Sequence, residues 1–163
     1  MEQIRVIIAD DHAVVRQGLA AMLTPRYGMN VVGEAATGLE AVRQASKLKP
    51  DVVIMDLNMP GMDGIEATAA IKTNDPQIRV LVLSSFNEED MAHAIMDAGA
   101  SGYLLKESSA DELIQAIRSV YSGHLILSPS VMQTLSSKES NRRDGYPAQV
   151  DLTPANMRCC RVL

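Results

Sequence analysis

Short apolar runs alternate along the chain with segments whose apolar residues recur at helical spacing. The runs are rich in Val, Ile and Leu, which is typical of strands buried on both faces of a parallel sheet. They predict five strands, over 4–9, 31–35, 51–56, 79–83 and 101–105. Five helices are predicted between and after them, over 12–23, 38–48, 65–71 (beginning near 63), 88–98 and 110–121. The alternation predicts an α/β fold, a doubly wound five-stranded parallel sheet with helices on both faces.

The alternation of strands and helices continues to Gly123 and predicts one domain over residues 1–123. Residues 124–151 follow as a short extension with a strand-like piece at 125–127, and then as a polar linker of mixed charge. The L-T-P motif that opens residues 152–163 predicts the start of a further helix, because threonine followed by proline is a favourable helix beginning.

Polar side chains stand where the predicted strands end. They are Asp10 and Asp11 after the first strand, Asp56 at the third, Ser84 at the fourth and Lys106 at the fifth. In a flavodoxin-like strand order, 2-1-3-4-5, the first and third strands are neighbours, and ligands bind at the carboxyl edge. Three converging carboxylates need a cation, and a hard divalent ion, Mg²⁺ by preference, suits oxygen ligands.

Lys106 and Ser84 add a positive charge and a hydroxyl donor to the same edge of the predicted sheet. A lysine amine suits a phosphoryl oxygen. The pattern therefore indicates a site where a carboxylate receives a phosphoryl group while a metal ion and a lysine stabilise the transferring charge.

Composition and charge exclude several classes of protein. The formal net charge of −5 over 163 residues argues against a broad nucleic-acid-binding surface. Cys159 and Cys160 are adjacent and give no disulfide framework. No apolar run approaches the roughly 20 residues of a membrane helix, and no signal peptide precedes the first strand. We therefore expect a cytoplasmic protein with no membrane partner.

Neither the loop after Asp56 nor the histidines have the ligand spacing of a second metal site. The loop after Asp56 superficially resembles a calcium-binding loop, but Ala67 stands where such a loop needs a bidentate glutamate. The histidines show no metal-ligand spacing and are expected at the surface or in local packing: His12, His93 and His124.

Four motifs together resemble the receiver domains of bacterial two-component response regulators. They are A-D-D at 9–11, V-V-I-M-D-L-N-M-P-G-M-D-G at 52–64, V-L-V-L-S-S at 80–85 and G-A-S-G-Y-L-L-K at 99–106. The resemblance covers about residues 4–121. Lys106-Glu107 stands where the family often has Lys-Pro, which puts a cis peptide there in doubt. This departure and G-H-L-I-L-S-P-S-V after the last helix resemble the NarL/FixJ subfamily, whose output domain is a LuxR-type helix-turn-helix.

The resemblance implies a phosphorylation-dependent regulator that is not an enzyme. Asp56 is expected to accept the phosphoryl group from a sensor histidine kinase. Asp11, Asp56 and the backbone carbonyl of Asn58 are expected to bind Mg²⁺, with Asp10 supporting the ion indirectly. A phosphatase with an aspartyl-phosphate intermediate would need an acid at position 58, and asparagine there argues against that alternative.

The resemblance also implies a switch and an output. Ser84 is expected to follow the phosphoryl group, and Tyr103 to be its aromatic switch partner. Homodimerisation on phosphorylation and DNA binding through an output domain are the expected consequences. Residues 152–163 resemble a truncated or altered start of that domain, because A-N-M-R-C-C-R departs from the acidic, Leu-rich continuation. The alternative is a stand-alone receiver that acts by protein–protein interaction.

Overall fold

The computed structural model describes residues 2–85, 91–129 and 131–136. Within these ranges the strands are β1 (Ile4–Ala9), β2 (Met29–Ala35), β3 (Val52–Asp56), β4 (Arg79–Ser84), β5 (Gly102–Leu105) and β6 (Ile126–Leu127). The helices are α1 (Ala13–Met22), α2 (Gly38–Leu48), α3 (Gly64–Asn74), α4 (Ala92–Asp97) and α5 (Ala110–Tyr121), with a 3₁₀ turn at Pro25–Tyr27. None of the helices in these ranges is long and apolar enough to cross a bilayer.

The strands form one parallel sheet in the order β2-β1-β3-β4-β5-β6. The predicted fold class and the order of its five-stranded core are confirmed. The sheet differs from the prediction by β6, which pairs with β5 through Gly102 and Tyr103. A strand of two residues is too short to show an alternating pattern, so the sequence indicated only a strand-like piece there.

Each face of the sheet carries its own hydrophobic core. Successive strand residues point to opposite faces, so Ile7 and Ala9 of β1 pack on one side while Val6 and Ile8 pack on the other. Buried residues of α2, α3 and α4 cover the first side. Buried residues of α1 and α5 cover the second. Because both faces are covered, the polar groups that follow the strands are held at the edge of a buried sheet.

Three helices begin at side-chain caps. Thr37 Oγ1 accepts a hydrogen bond from Glu40 N–H at the start of α2, and Ser109 caps α5 in the same way. Asp63 and Glu66 form a reciprocal capping box at the start of α3. A cap of this kind satisfies amide groups that the helix leaves unpaired, and its removal costs about 1 kcal/mol. The cap on α3 fixes the end of the loop that follows Asp56.

The chain after α5 packs against the core beside β5. Ser128 N–H donates to the Tyr103 carbonyl at 3.1 Å, and the side chain of Val131, in a helical segment at 131–136, is fully buried. The domain boundary at Gly123 stays a prediction, but the polypeptide up to residue 136 belongs to the same packed unit. The predicted remainder of the linker and the predicted output start at 152–163 lie outside the described residues.

Candidate functional site

The strand register aligns the predicted polar residues along the carboxyl edge of the sheet. Ala9 pairs with Met55, so Asp10 and Asp56 are the next residues on adjacent strands. Asp56 pairs in turn with Leu83, and Ser84 pairs with Leu105, the residue before Lys106. The parallel topology thus gathers residues that are far apart in the sequence.

An acidic cluster lies at the centre of this edge. Asp10, Asp11, His12 and Asp56 each offer one ligand atom, and these atoms all lie within 4.8 Å of one another. Asp10 and Asp56 are each only 3% exposed, whereas Asp11 is exposed. Carboxylates at such separations repel one another unless a cation lies between them. The cluster could therefore hold a metal ion.

Lys106 provides the positive charge of the site. Its Nζ atom lies 3.2 Å from Asp10 Oδ2 and 3.1 Å from Asp56 Oδ1, and 27% of its side chain is exposed. Burial pulls the pKa of Lys106 down, but hydrogen bonds and charges from Asp56 and Asp10 together outweigh it and raise the pKa. The positive charge on Lys106 therefore makes its full contribution to stability below about pH 10.5, the pKa of an unperturbed lysine, and this contribution is lost as the pH rises through the raised pKa.

Replacing Lys106 by methionine should make the fold more dependent on a divalent cation. The change leaves two buried carboxylates without their amine, so we expect a loss of about 1–2 kcal/mol of stability without metal, less than for a fully buried pair. Added Mg²⁺ should then raise the midpoint of thermal unfolding more than it does in the wild type. The exposed Lys47→Met variant is the control. An equal metal response in all three proteins would contradict the expected competition between amine and metal.

Ser84 and Tyr103 form a second pair beside the charged cluster. The Ser84 and Tyr103 hydroxyls lie 2.5 Å apart, and both side chains are fully buried. The Ser84 carbonyl also accepts a hydrogen bond from the Lys106 N–H at 2.7 Å. This backbone hydrogen bond joins Ser84 to Lys106. It therefore links the Ser84–Tyr103 pair to the acidic cluster that the lysine contacts.

The structure also brings two residues to the site that the sequence analysis missed. Arg16 Nη1 donates to the Asp10 carbonyl at 2.7 Å and so holds the end of β1. His12 Nδ1 lies 2.9 Å from Asp11 Oδ1 and 3.1 Å from Asp10 Oδ1. The expectation of a surface position is met for His12, since 66% of its side chain is exposed, but its place among the acids was not foreseen. Its position directly after Asp10-Asp11 was the available signal.

The loop from β3 to α3 is anchored close to Asp56. Gly64 N–H donates to the Leu57 carbonyl at 2.9 Å, which closes the loop back on the residue after Asp56. Asn58 lies within this loop and is exposed. A metal-binding role for its carbonyl stays a prediction. The described backbone contains no cis peptide bond.

The family model described as the response regulator receiver domain matches residues 6–118, more than half of the chain. The chain belongs to the response regulator receiver family. The matched segment begins in β1, ends in α5 and includes every strand-end residue of the site. The resemblance noted in the sequence is thereby confirmed, as is the function of a phosphorylation-dependent two-component regulator.

Curated relatives and solved structures agree on the type of regulator. Response regulator protein VraR of Staphylococcus epidermidis is 39% identical over 143 residues, which cover 88% of this chain and 68% of that protein. A LuxR-family two-component response regulator from Aurantimonas sp. SI85-9A1 is 37% identical, with a TM-score of 0.78 over 85% of this chain and 99% of that one. The RcsB response regulator of Salmonella typhimurium is 32% identical, with a TM-score of 0.73 over 83% and 67%. These matches place this receiver among LuxR-type regulators.

Proposed function

We propose that Asp56 is the phosphoryl acceptor of this receiver and that its donor is a sensor histidine kinase. The single observation that supports this most directly is the Lys106 amine lying between Asp10 and Asp56 at the end of β3. An amine in that position can neutralise phosphoryl oxygens that arrive at the Asp56 carboxylate. The aspartate is the nucleophile, and a bond from its oxygen to phosphorus forms as the bond to the leaving group breaks.

Mg²⁺ is the metal ion that we propose for the acidic cluster. The donor set fits a hard cation, because three carboxylates supply oxygen atoms within reach of one ion. Asp11, Asp56 and the Asn58 carbonyl would bind the ion directly. Asp10 would support the ion indirectly, from the position in which it contacts Lys106 and accepts a hydrogen bond from the His12 N–H. When bound, the ion offsets negative charge on the transferring phosphoryl group.

Ser84 and Tyr103 are proposed to carry the signal away from Asp56. Phosphorylation adds oxygen atoms that accept hydrogen bonds, and the Ser84 hydroxyl is the donor expected to turn towards them. Ser84 and Tyr103 now share a buried hydrogen bond, so a change at one alters the packing of the other. The effect is a local change in charge that shifts a two-state element.

The output proposed for the full protein is DNA binding and regulation of transcription, without enzymatic turnover. RcsB dimers, which are related to this chain, have been solved on two parallel DNAs. Homodimerisation on phosphorylation is part of the same proposal. The alternative of a stand-alone receiver differs in one respect, since its phosphorylated form would bind a protein and not DNA. The cytoplasmic location and the domain division remain predictions.

Incubation with acetyl phosphate tests the proposed chemistry. We expect one phosphoryl group per chain in the presence of Mg²⁺, seen by intact-protein mass spectrometry, and release of the group by hydroxylamine, as an acyl phosphate requires. Excess EDTA should abolish the labelling, because Lys106 then offsets only part of the negative charge on the incoming group and no metal ion offsets the rest. Full labelling in EDTA, or a label that resists hydroxylamine, would exclude the proposed site.

Replacing Tyr103 by phenylalanine tests the proposed switch. The change removes the hydroxyl that bonds to Ser84, and we expect a loss of about 1 kcal/mol of stability with labelling of Asp56 retained. The amide chemical-shift changes that beryllofluoride induces in β5 and α5 should become smaller. Tyr121→Phe, at an exposed tyrosine of α5, is the matched control. Unchanged shifts in the Tyr103 variant would rule out a switch role.

A further inference from the structure

His12 extends the donor set of the acidic cluster beyond oxygen. Its Nδ1 atom is one of four ligand atoms within 4.8 Å of one another, with Asp10, Asp11 and Asp56 supplying the others. Imidazole nitrogen is a common ligand of first-row transition metals, whereas Mg²⁺ is bound by oxygen. A cluster built for Mg²⁺ alone has no need of an imidazole.

The separations between the atoms suit a shared ion. Two ligands at about 2.1 Å from one transition metal lie about 3.0 Å apart at neighbouring octahedral positions and about 3.4 Å apart in tetrahedral geometry. His12 Nδ1 lies 2.9 Å from Asp11 Oδ1 and 3.1 Å from Asp10 Oδ1. Without a metal ion these are direct polar contacts between the ring and the acids. Both separations also match ligands on adjacent octahedral positions of one ion.

The backbone holds the histidine in place. His12 N–H donates to Asp10 Oδ1 at 2.8 Å, which turns the chain at the start of α1 and returns the imidazole to the acids. The side chain makes no capping bond to α1. Its side chain is 66% exposed, so an ion can reach it from solvent.

We propose that His12 is a metal ligand in this receiver and that the site therefore binds late first-row divalent cations, such as Co²⁺ and Zn²⁺, more tightly than Mg²⁺. The inference rests on the proposed function, since it concerns the same acidic cluster. Two carboxylate oxygens and an imidazole nitrogen form a mixed ligand set. The affinity of such a set for divalent metals follows the usual order of the first-row transition metals. Mg²⁺ prefers oxygen ligands, so its affinity for the site should depend less on the imidazole than the affinity of Co²⁺ or Zn²⁺ does.

The test is titration of the wild type and of His12→Gln with Mg²⁺ and with Co²⁺, measured by calorimetry and, for Co²⁺, by its visible absorbance. All samples are alkylated first, because Cys159 and Cys160 would also bind Co²⁺. His124→Gln, at an exposed histidine outside the acidic cluster, is the matched control. Asp11→Asn serves as a variant that should weaken binding of both ions.

We expect His12→Gln to lose about tenfold or more in Co²⁺ affinity, with a changed Co²⁺ spectrum, and to lose much less in Mg²⁺ affinity. Equal Co²⁺ affinity and spectra in His12→Gln and the wild type, with Mg²⁺ binding intact, would overturn the inference and leave the proposed function standing. If neither ion binds the wild type and labelling is also absent, the proposed function itself fails.

Discussion

Asp56→Asn is expected to abolish labelling by acetyl phosphate. The substitution keeps the size of the side chain and removes the nucleophilic carboxylate. Within the acidic cluster, Asp10 alone shares with Asp56 both burial and direct contact with the Lys106 amine. Asp10 is the nearest rival, since it also pairs with Lys106, but its Oδ1 atom is already occupied by the His12 N–H. Intact-protein mass spectrometry with Mg²⁺ present measures the result.

Asp111→Asn is the control for this experiment. Asp111 is an exposed aspartate in the first turn of α5 and is not part of the acidic cluster. Its replacement should leave labelling as in the wild type. Undiminished labelling of Asp56→Asn would show that another residue is the acceptor, and peptide mapping of the label would then identify it.

Gly64→Ala is expected to destabilise the protein by about 2–3 kcal/mol and to weaken Mg²⁺ binding. A Cβ atom at this position would collide with the carbonyl oxygen of Asp56 and lie 2.8 Å from the Leu57 Cα atom. Both obstacles are backbone, which cannot turn away as a side chain can. The start of α3 or the end of β3 must therefore move, and the Asn58 carbonyl, the proposed metal ligand on the loop between them, moves too.

Gly18→Ala is a matched control for the glycine change. A Cβ atom at Gly18, in the middle of α1, meets nothing within 4 Å. Alanine is favoured over glycine in a helix interior by about 0.5–1 kcal/mol, so this variant should be more stable than the wild type. Urea unfolding of both variants measures the difference. Equal stability of the two would contradict the close approach of Gly64 to the strand.

Local signals explain how much of the fold the sequence could predict. The bounds of β1 and α2 agree with the prediction because a buried apolar run, or a threonine cap and an amphipathic face, marks each end. The predicted helix at 12–23 is shorter, since His12 adopts extended backbone angles and the helix begins at Ala13. The beginning of the helix predicted over 88–98 falls partly outside the described residues, and α4 ends at Asp97.

The candidate site could be predicted to the extent that the sheet topology determines it. Parallel strands bring their carboxyl ends to one edge, so the meeting of Asp10, Asp56 and Lys106 followed from the order of the strands alone. His12 was missed because ligand spacing is usually sought along a regular helix or strand. Here the Asp10 side chain accepts a hydrogen bond from the His12 N–H, and the turn that this bond closes brings the His12 ring back to the acids. No periodicity in the sequence marks such a turn.

The pairing of β6 with β5 determines which fragments of this protein can be studied in isolation. A strand at the edge of a sheet offers unpaired amide and carbonyl groups to any other extended chain, and proteins cover such edges to avoid aggregation. A fragment that stops at Gly123 would lose β6 and the buried Val131, leaving the β5 backbone open beside Tyr103. Spectroscopic work on the receiver alone should therefore retain the polypeptide through residue 136.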